Sequence, residues 1–226
     1  MLTDASMEPI VHRERCYRCF RPAQTCYCRD IIPVRTNARF IFLLHPREAL
    51  HQRTGTGRLT HLSLPGSRLF VGLDFAMNAE LMDLVFNDHF QTMLLYPGSS
   101  VQTAPTINAA ATQRDERPYL FIVLDATWHL SRKLLRLNPW LEQIPRVGLA
   151  GVYRSSFRIK RQPGFGYLAT IEAVCFLLRE FEQEKLIRLQ TDPAKLLLVF
   201  EKMVSVQESF IQGRGSPYRA PTNPPE

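Results

Sequence analysis

Residues 119–128 read YLFIVLDATW, and this stretch decides the fold that the chain can adopt. Residues 119–124 are entirely apolar, which is typical of a strand buried on both faces of a parallel sheet. Asp125 follows at once, so the predicted strand ends on a carboxylate. Open α/β sheets bind their ligands at the carboxyl ends of strands, which makes Asp125 the first candidate functional residue.

Strands and helices alternate on both sides of this stretch. The alternation predicts an α/β fold with helices on both faces of the sheet. In chain order the predicted elements begin with a strand at 40–44, a loop with Gly55 and Gly57, a strand at 69–73, a helix at 77–86 and strands at 93–96 and 119–124. Next comes a helix that ends before Pro139, with an apolar stripe of Leu130, Leu134, Leu137 and Leu141. Two later helices are marked by their apolar residues, the first by Ile171, Val174, Cys175, Leu178 and Phe181 and the second by Leu196, Phe200, Met203 and Phe210.

The chain length predicts one main domain with a small appendage. We divide the 226 residues into a loose N-terminus at 1–15, a Cys-rich unit at 16–35, an α/β domain at 36–212 and a disordered tail at 213–226. The tail contains four Pro and two Gly in its fourteen residues, a composition typical of disorder. The unit at 16–35 is too small to fold without a covalent or metal staple.

Four cysteines supply that staple. Cys16, Cys19, Cys26 and Cys28 form the pattern C-x2-C-x6-C-x-C, with arginines interleaved. Two close pairs of thiols favour a closed tetrahedral zinc site with a structural role. Disulfides are disfavoured in a reducing cytosol, and an iron–sulfur cluster would need a redox task that nothing else in the sequence indicates. The sequence therefore predicts structural Zn²⁺.

The net charge of +7 is concentrated in two segments. Residues 13–58 contain ten arginines against three acidic residues, and residues 129–171 contain eight basic residues against Glu142 alone. A face that binds a polyanion requires such segregation, whereas the alternative is a set of solvated charges that keep the protein soluble. No apolar stretch approaches the roughly 18 residues that cross a bilayer, and the first residues lack the apolar core of a secretory signal. We expect a cytoplasmic protein with no membrane span and no obligate protein partner.

Asp125 alone is a weak signal, because an Asp at a strand-to-helix turn is often only a helix N-cap. The wider sequence, however, resembles the DTW-domain family, which is related to the SPOUT-type knotted RNA-modifying proteins. Gly55 stands where that family usually has Asn. The resemblance is carried, in order, by the cysteine cluster, HPRE at 45–48, TGTGRL at 54–59, LYPG at 95–98, DATW at 125–128, NPW at 138–140, and residues 153–173 with RIKRQP at 158–163 and LATIEA at 168–173.

This resemblance implies transfer of the 3-amino-3-carboxypropyl group of S-adenosylmethionine to N3 of a uridine in tRNA, in the variable loop, with release of methylthioadenosine. It also implies a SPOUT-like sheet, knotted, with the cofactor bound among the carboxyl-end loops. N3 must lose a proton, so Asp125 is the candidate catalytic residue. An ordinary aspartate pKa of about 3.9 makes it a weak base, so either desolvation beside Trp128 raises the pKa or the carboxylate mainly orients the uracil.

The resemblance implies that Leu95, Tyr96, Pro97 and residues 168–173 form the adenosine pocket, and the chemistry of the cofactor suggests further contacts. Thr54, Thr56 and Arg58 can receive its carboxylate, in a loop whose glycines allow close backbone approach. Two purely structural alternatives stay open: residues 96–98 form only a turn, and Glu172 is only a favourable charge in a first helical turn. Besides Thr54, Thr56 and Arg58, the candidate cofactor-binding residues are Leu95, Tyr96, Pro97, Thr127, Trp128, Leu168, Thr170, Glu172 and Ala173.

The basic residues of the second segment are the candidate tRNA contacts. Three of them share one helical face, opposite the apolar stripe. The full set is Arg132, Lys133, Arg136, Arg154, Arg158, Lys160 and Arg161. Two other functions compete with the transferase: an RNA methyltransferase that uses the same cofactor, and a zinc-stapled RNA-binding module without catalysis.

Overall fold

The computed structural model describes residues 15–51, 54–97, 101–110, 115–159 and 167–214. Its core is a five-stranded sheet flanked by helices. The strands are β1 (Arg39–Leu44), β2 (Arg68–Val71), β3 (Gln91–Leu95), β4 (Tyr119–Asp125) and β5 (Arg146–Val147). The helices are α1 (Pro46–His51), α2 (Thr56–Ser63), α3 (Ala79–Val85), α4 (Ala104–Ala110), α5 (Trp128–Leu137), α6 (Thr170–Gln183) and α7 (Ala194–Arg214).

All strand pairings are parallel, in the order β2-β1-β4-β3-β5, and both faces of the sheet are covered. Alternate residues of β1 point to opposite faces: Phe40 and Phe42 pack towards α2, α6 and α7, and Ile41 and Leu43 pack towards α3 and α5. Burial on both faces requires continuously apolar strands, so the sequence-based prediction of an α/β fold is confirmed.

A crevice opens where β1 and β4 lie side by side. The chain leaves β1 towards α2 on one face of the sheet, and it leaves β4 towards α5 on the other face. Connections that diverge in this way leave a gap above the carboxyl ends of the two strands, and such gaps are where open α/β sheets bind ligands. Asp125 pairs with Leu44 across this position.

The predicted elements differ from the observed ones in several places. The predicted loop is wrong at Gly57, because Thr56 begins α2 and only Gly55 stays outside this helix. Helices α1 and α4 and the short strand β5 have no counterpart in the prediction. The apolar stripe of α5 is wrong at Leu137, which is 40% exposed, whereas its neighbour Leu135 is buried. Helical period drifts over ten residues, so spacing alone misplaces one position.

The ends of the chain lie partly outside the described residues. α7 continues through Gly213 and Arg214, which the prediction placed in the tail, and 1–14 and 215–226 are not described. The Cys-rich unit is not independent, since Cys19, Tyr27 and Val34 join the core beneath α2 and α7. Among the described helices, none combines the length and hydropathy that a membrane crossing needs.

Candidate active site

Asp125 is fixed at the carboxyl end of β4 by contacts from two other elements. Its side chain is buried, and its Oδ1 accepts a hydrogen bond of 2.6 Å from Oγ1 of Thr170, the first residue of α6. Its backbone carbonyl accepts the N–H of His45, just after β1, at 3.3 Å. The N-cap position of α5 belongs to Thr127, so Asp125 is not a helix cap.

Gly57 makes room for the Asp125 carboxylate. It lies in the first turn of α2, and a Cβ atom added there would overlap the carboxyl group. The positive end of the α2 dipole therefore lies against a negatively charged side chain, which is a favourable arrangement. The run of small residues at 54–57 indicates close backbone approach in this segment but does not identify Asp125 as the group that approaches Gly57.

A cavity of about 390 Å³ lies beside this carboxylate, above the carboxyl ends of β3, β4 and β5. Its size and mostly apolar lining are typical of a site for a small organic molecule. Predicted cofactor-binding residues form much of its wall: Leu95, Tyr96, Pro97, Trp128, Leu168, Thr170 and Ala173. No sequence motif predicts the opposite wall, which consists of Val147, Gly148, Leu149, Gly151, Val152 and Tyr153.

Aromatic rings form one side of this first cavity. The ring centroids of Tyr96 and Trp128 are 5.7 Å apart, and the Trp128 ring meets Tyr167 edge-on at 5.1 Å. The Arg146 guanidinium lies 5.5 Å from the Tyr96 ring centroid and makes a cation–π contact with this ring. Pairs of this kind stabilise each other by about 0.5–1.5 kcal/mol beyond burial, so the wall is a rigid one.

Two buried glutamates of α6 hold the opposite wall in place. Glu172 accepts hydrogen bonds from Ser155, Ser156 and the backbone N–H of Ala169, at 2.6–3.0 Å. Glu180 accepts hydrogen bonds from the backbone N–H groups of Ala150 and Gly151 and from the Tyr153 hydroxyl, at 2.8–2.9 Å. Helix α6 thus holds the wall segment at two positions eight residues apart. The sequence predicts that Glu172 contacts the cofactor, but both of its carboxylate oxygens accept hydrogen bonds from the protein, and the residue does not line the cavity.

Tyr153 is locked by this arrangement. Its ring stacks on Phe176 with centroids 3.9 Å apart, and its hydroxyl donates to Glu180. Burial and the bond to Glu180 raise the pKa of Tyr153 to about 12, so the phenol stays protonated and continues to donate at neutral pH.

A second cavity, of about 600 Å³, lies on the other side of Asp125, between β1, the start of α2 and the Cys-rich unit. Arg58 and Gly55 line it. Thr54, Thr56 and Thr127, also predicted to bind the cofactor, line neither cavity. The structure thus separates the predicted cofactor residues into two groups, one on each side of the carboxylate.

Phe20 projects from the Cys-rich unit into this second cavity. Its φ angle of 58° is left-handed, a conformation that glycine adopts freely and that costs other residues about 1–2 kcal/mol. The ring is 53% exposed, and the Arg58 guanidinium lies 4.6 Å from its centroid.

The four cysteines of the unit converge as the sequence predicts. Their four Sγ atoms all lie within 4.8 Å of one another, and the pairs Cys16–Cys28 and Cys19–Cys26 are 3.7 Å apart. A tetrahedron with metal–sulfur bonds of about 2.3 Å has edges of about 3.8 Å, so the donor set fits a tetrahedral metal ion. All five cysteines of the chain are free thiols, which excludes a disulfide staple here.

The thiols do not share one environment. Hydrogen bonds from the backbone at Cys19 and Arg18 lower the pKa of Cys16 to about 6, so this residue is a thiolate at neutral pH. Burial raises the pKa of Cys19 and of Cys28. A bound cation reverses such an increase, because it stabilises the thiolate form that ligates metals.

His45 belongs to the scaffold of the crevice. Its Nδ1 accepts the N–H of Arg47 at 3.1 Å, so the neutral ring carries its proton on Nε2, for which the described residues provide no hydrogen-bond partner. Burial and the nearby charge of Lys133 lower the pKa of His45, which keeps the ring neutral at pH 7. Of the HPRE motif, Glu48 also lines the second cavity.

The candidate tRNA contacts fall into three groups. Arg132, Lys133 and Arg136 are exposed on α5, and Arg154 is exposed in the wall segment. Arg158 instead forms ion pairs with Glu201 at 2.7 Å and Glu208 at 3.0 Å, so its charge is already neutralised by α7. Lys160 and Arg161 lie outside the described residues.

Comparisons with known proteins cover all of these features. A model of the DTW domain family matches residues 13–208. The chain is 27% identical over 192 residues to a Drosophila melanogaster protein named tRNA-uridine aminocarboxypropyltransferase 2, a match that covers 83% of this chain and 74% of the relative. It is 24% identical over 191 residues to a Macaca fascicularis protein of the same name, covering 83% of this chain and 63% of that relative. No solved structure gives a significant match.

We expect Gly57→Ala to disable the site, because the added methyl group must displace the Asp125 carboxylate. A displacement of about 1 Å costs about 100-fold in rate, so catalysis should fall by that order while circular dichroism still reports a folded chain. Gly213→Ala is the matched control: Gly213 lies in α7 with open space around it, so activity should be unchanged. Equal activity of the two variants would contradict the packing argument.

We expect the folded chain to hold one metal ion on its four cysteines. Elemental analysis of protein purified without chelator should give about one equivalent of metal. Cys19→Ser should lose that metal and lower the melting temperature, because the Cys-rich unit is part of the core. Cys175→Ser should retain the metal, since Cys175 lies in α6 and donates only to the Pro193 carbonyl. Equal metal content in Cys19→Ser and the unaltered chain would contradict the assignment.

Proposed function

This chain belongs to the DTW domain family, and from that premise we propose that it transfers the 3-amino-3-carboxypropyl group of S-adenosylmethionine to N3 of a uridine in tRNA. The proposed acceptor is in the variable loop, and methylthioadenosine is the other product. The names of both relatives support this reaction. One structural observation carries the proposal: a buried carboxylate lies between an apolar cavity of nucleoside size and a second cavity bordered by basic residues.

We assign the adenosine part of the donor to the first cavity. Tyr96 and Trp128 offer ring faces there, and Ser131 and Thr170 offer hydroxyl groups. Leu95, Pro97, Leu168 and Ala173 supply apolar surface. A few polar groups in an apolar wall are what orients a small cofactor, and Trp128 is positioned to cover an apolar methyl group.

We assign the amino-acid end of the donor to the region around Asp125. Arg58 is the candidate for its carboxylate, because a guanidinium binds carboxylates through two parallel hydrogen bonds. Thr54 and Thr56, which flank Gly55, and Thr127 at the start of α5 remain candidates for polar contacts near this end. The carbon to be transferred would then lie between the two cavities, away from the buried methyl group. This placement favours transfer of the longer chain over methyl transfer.

Asp125 serves the acceptor in this proposal. Asp125 either removes the N3 proton itself or accepts a hydrogen bond from N3–H and orients the uracil while water takes the proton, and the N3 electron pair forms the new C–N bond. The C–S bond breaks, and its electrons convert the sulfonium to the neutral thioether of methylthioadenosine. Because positive charge on sulfur disappears in this step, a carboxylate placed against sulfur would stabilise the ground state, so we orient Asp125 towards the uridine.

The proposal includes three further points. The fold is of the SPOUT type, with a knot in the sheet domain. The metal of the cysteine site is structural zinc, because an all-sulfur tetrahedral site leaves no open coordination position. The protein works in the cytoplasm on tRNA, in keeping with its five free thiols.

The transfer itself is tested with unmodified tRNA and two preparations of S-adenosylmethionine, one labelled in the methyl group and one in the carboxyl group. We expect carboxyl label and no methyl label in the RNA. The reverse result would establish an RNA methyltransferase. Transfer of neither label, together with no thermal shift by S-adenosylmethionine, would indicate an RNA-binding module without catalysis.

Asp125→Asn separates the two roles of this residue. Asn keeps an acceptor oxygen but cannot take a proton, so loss of a general base should lower kcat by about 100-fold or more. The affinity for S-adenosylmethionine, measured by calorimetry, should change little. Thr170→Val removes the hydroxyl that fixes the carboxylate and should also lower kcat, whereas Thr170→Ser keeps the hydroxyl and should restore most of it. Equal losses in both Thr170 variants would contradict a hydrogen-bonding role.

The basic face of α5 is tested by salt dependence. Replacing Arg132, Lys133 and Arg136 together with Ala should weaken tRNA binding. It should also make the slope of log affinity against log salt shallower, by the amount that corresponds to the loss of up to about three phosphate contacts. Arg158→Ala should change that slope much less, because Glu201 and Glu208 already neutralise the guanidinium. Unchanged binding by the triple variant would exclude this face from the tRNA contact.

A further inference from the structure

The second cavity lies on the far side of Asp125 from the proposed adenosine site, and in the assignments above only the donor carboxylate, at Arg58, reaches it. Resting on the proposed function, we propose that this cavity receives the target uracil, unstacked from the RNA, with Phe20 stacked on the base and Asp125 facing N3. The Cys-rich unit is then one wall of the acceptor site.

Position is the first argument. Asp125 lines the second cavity, whereas its hydrogen-bond partner Thr170 lines the first. An acceptor that approaches Asp125 from the second cavity meets the donor across this residue pair. The first cavity cannot hold both reactants, because its volume of about 390 Å³ is near the lower limit for a single drug-sized ligand.

The conformation of Phe20 is the second argument. Glycine would make the turn after Cys19 without strain, yet this chain places a large aromatic side chain there, at a φ of 58°. Phe20 as a residue is about half exposed, and it lines the same cavity as the Asp125 carboxylate. Strained residues cluster at functional sites, and an exposed aromatic face is the common platform for an unstacked base.

Charge is the third argument. Arg15, Arg21 and Arg58 line the same cavity, against the two acidic residues Glu48 and Asp125, and Arg58 already lies 4.6 Å from the Phe20 ring centroid. A flipped nucleotide brings its phosphates with it, so cationic side chains around an aromatic platform match an RNA strand better than they match an uncharged metabolite.

The kinetic test compares three variants at two exposed aromatic positions of one unit. Phe20→Gly relieves the left-handed strain, so the chain should keep its fold, its metal and its affinity for S-adenosylmethionine. Loss of base stacking should raise KM for tRNA by about tenfold or more. Phe20→Tyr should retain a KM near that of the unaltered chain. Tyr17→Ala is the matched control, because Tyr17 is 92% exposed and does not line the cavity, and its KM should be unchanged.

A photocrosslinking experiment on the unaltered chain tests independently where the uracil base binds. Unmodified tRNA is transcribed with 5-iodouridine, which forms a covalent bond to a stacked aromatic ring on irradiation. Mass spectrometry should locate the crosslink on Phe20. A crosslink on Tyr96, Trp128 or Tyr167 would place the base in the first cavity and overturn the inference, as would bound tRNA that gives no crosslink to Phe20. The inference would also fail if Phe20→Gly and Tyr17→Ala had equal KM values.

These measurements distinguish this inference from the proposed function. If the carboxyl label of S-adenosylmethionine does not reach the RNA but the crosslink falls on Phe20, the proposed function fails and the uracil site stands. If the label is transferred and the crosslink lies elsewhere, the function stands and the uracil site fails.

Discussion

The burial of one carboxylate constrains the rest of the site. An unpaired ionised group taken out of water costs several kcal/mol, so Asp125 can stay at the end of the central strand only with compensating partners. Thr170 donates a short hydrogen bond, and the first turn of α2 offers its positive end, an approach that only Gly57 permits. Helices α2 and α6, which pack together on one face of the sheet, thus meet at this side chain.

Helix α6 contributes polar side chains to the site from more than one of its faces. Its first residue, Thr170, donates to the Asp125 carboxylate, and Glu172 and Glu180 accept six hydrogen bonds from side chains and backbone of residues 150–156. Its apolar side meanwhile packs into the core. Removing either glutamate would break three hydrogen bonds to this wall, each worth about 1 kcal/mol because the donors are only partly buried.

The basic residues of the two segments lie in different surroundings in the folded chain. Part of the first segment, Arg15, Arg21 and Arg58, surrounds the second cavity. In the second segment the α5 residues stay exposed, but Arg158 pairs with two glutamates of α7 that lie more than forty positions away. A run of charge in a sequence therefore predicts a basic region, while the field that an RNA meets depends on which charges the fold neutralises.

The sequence by itself determined the features that depend on near neighbours. The apolar strands at 40–44 and 119–124, the core stripes of α6 and α7, the convergence of the cysteines and the placement of Asp125 at a strand end all follow from local spacing, and the ordered motifs identified the family. Spacing could not separate a glycine-rich loop from the start of α2, nor predict that Glu180 anchors residues 150–153. Only the tertiary structure decided that Asp125 lies between two cavities, that Gly57 makes room for it, and that the Cys-rich unit borders the second cavity. Those contacts join residues far apart in the chain, and their geometry is set by packing, which periodicity does not encode.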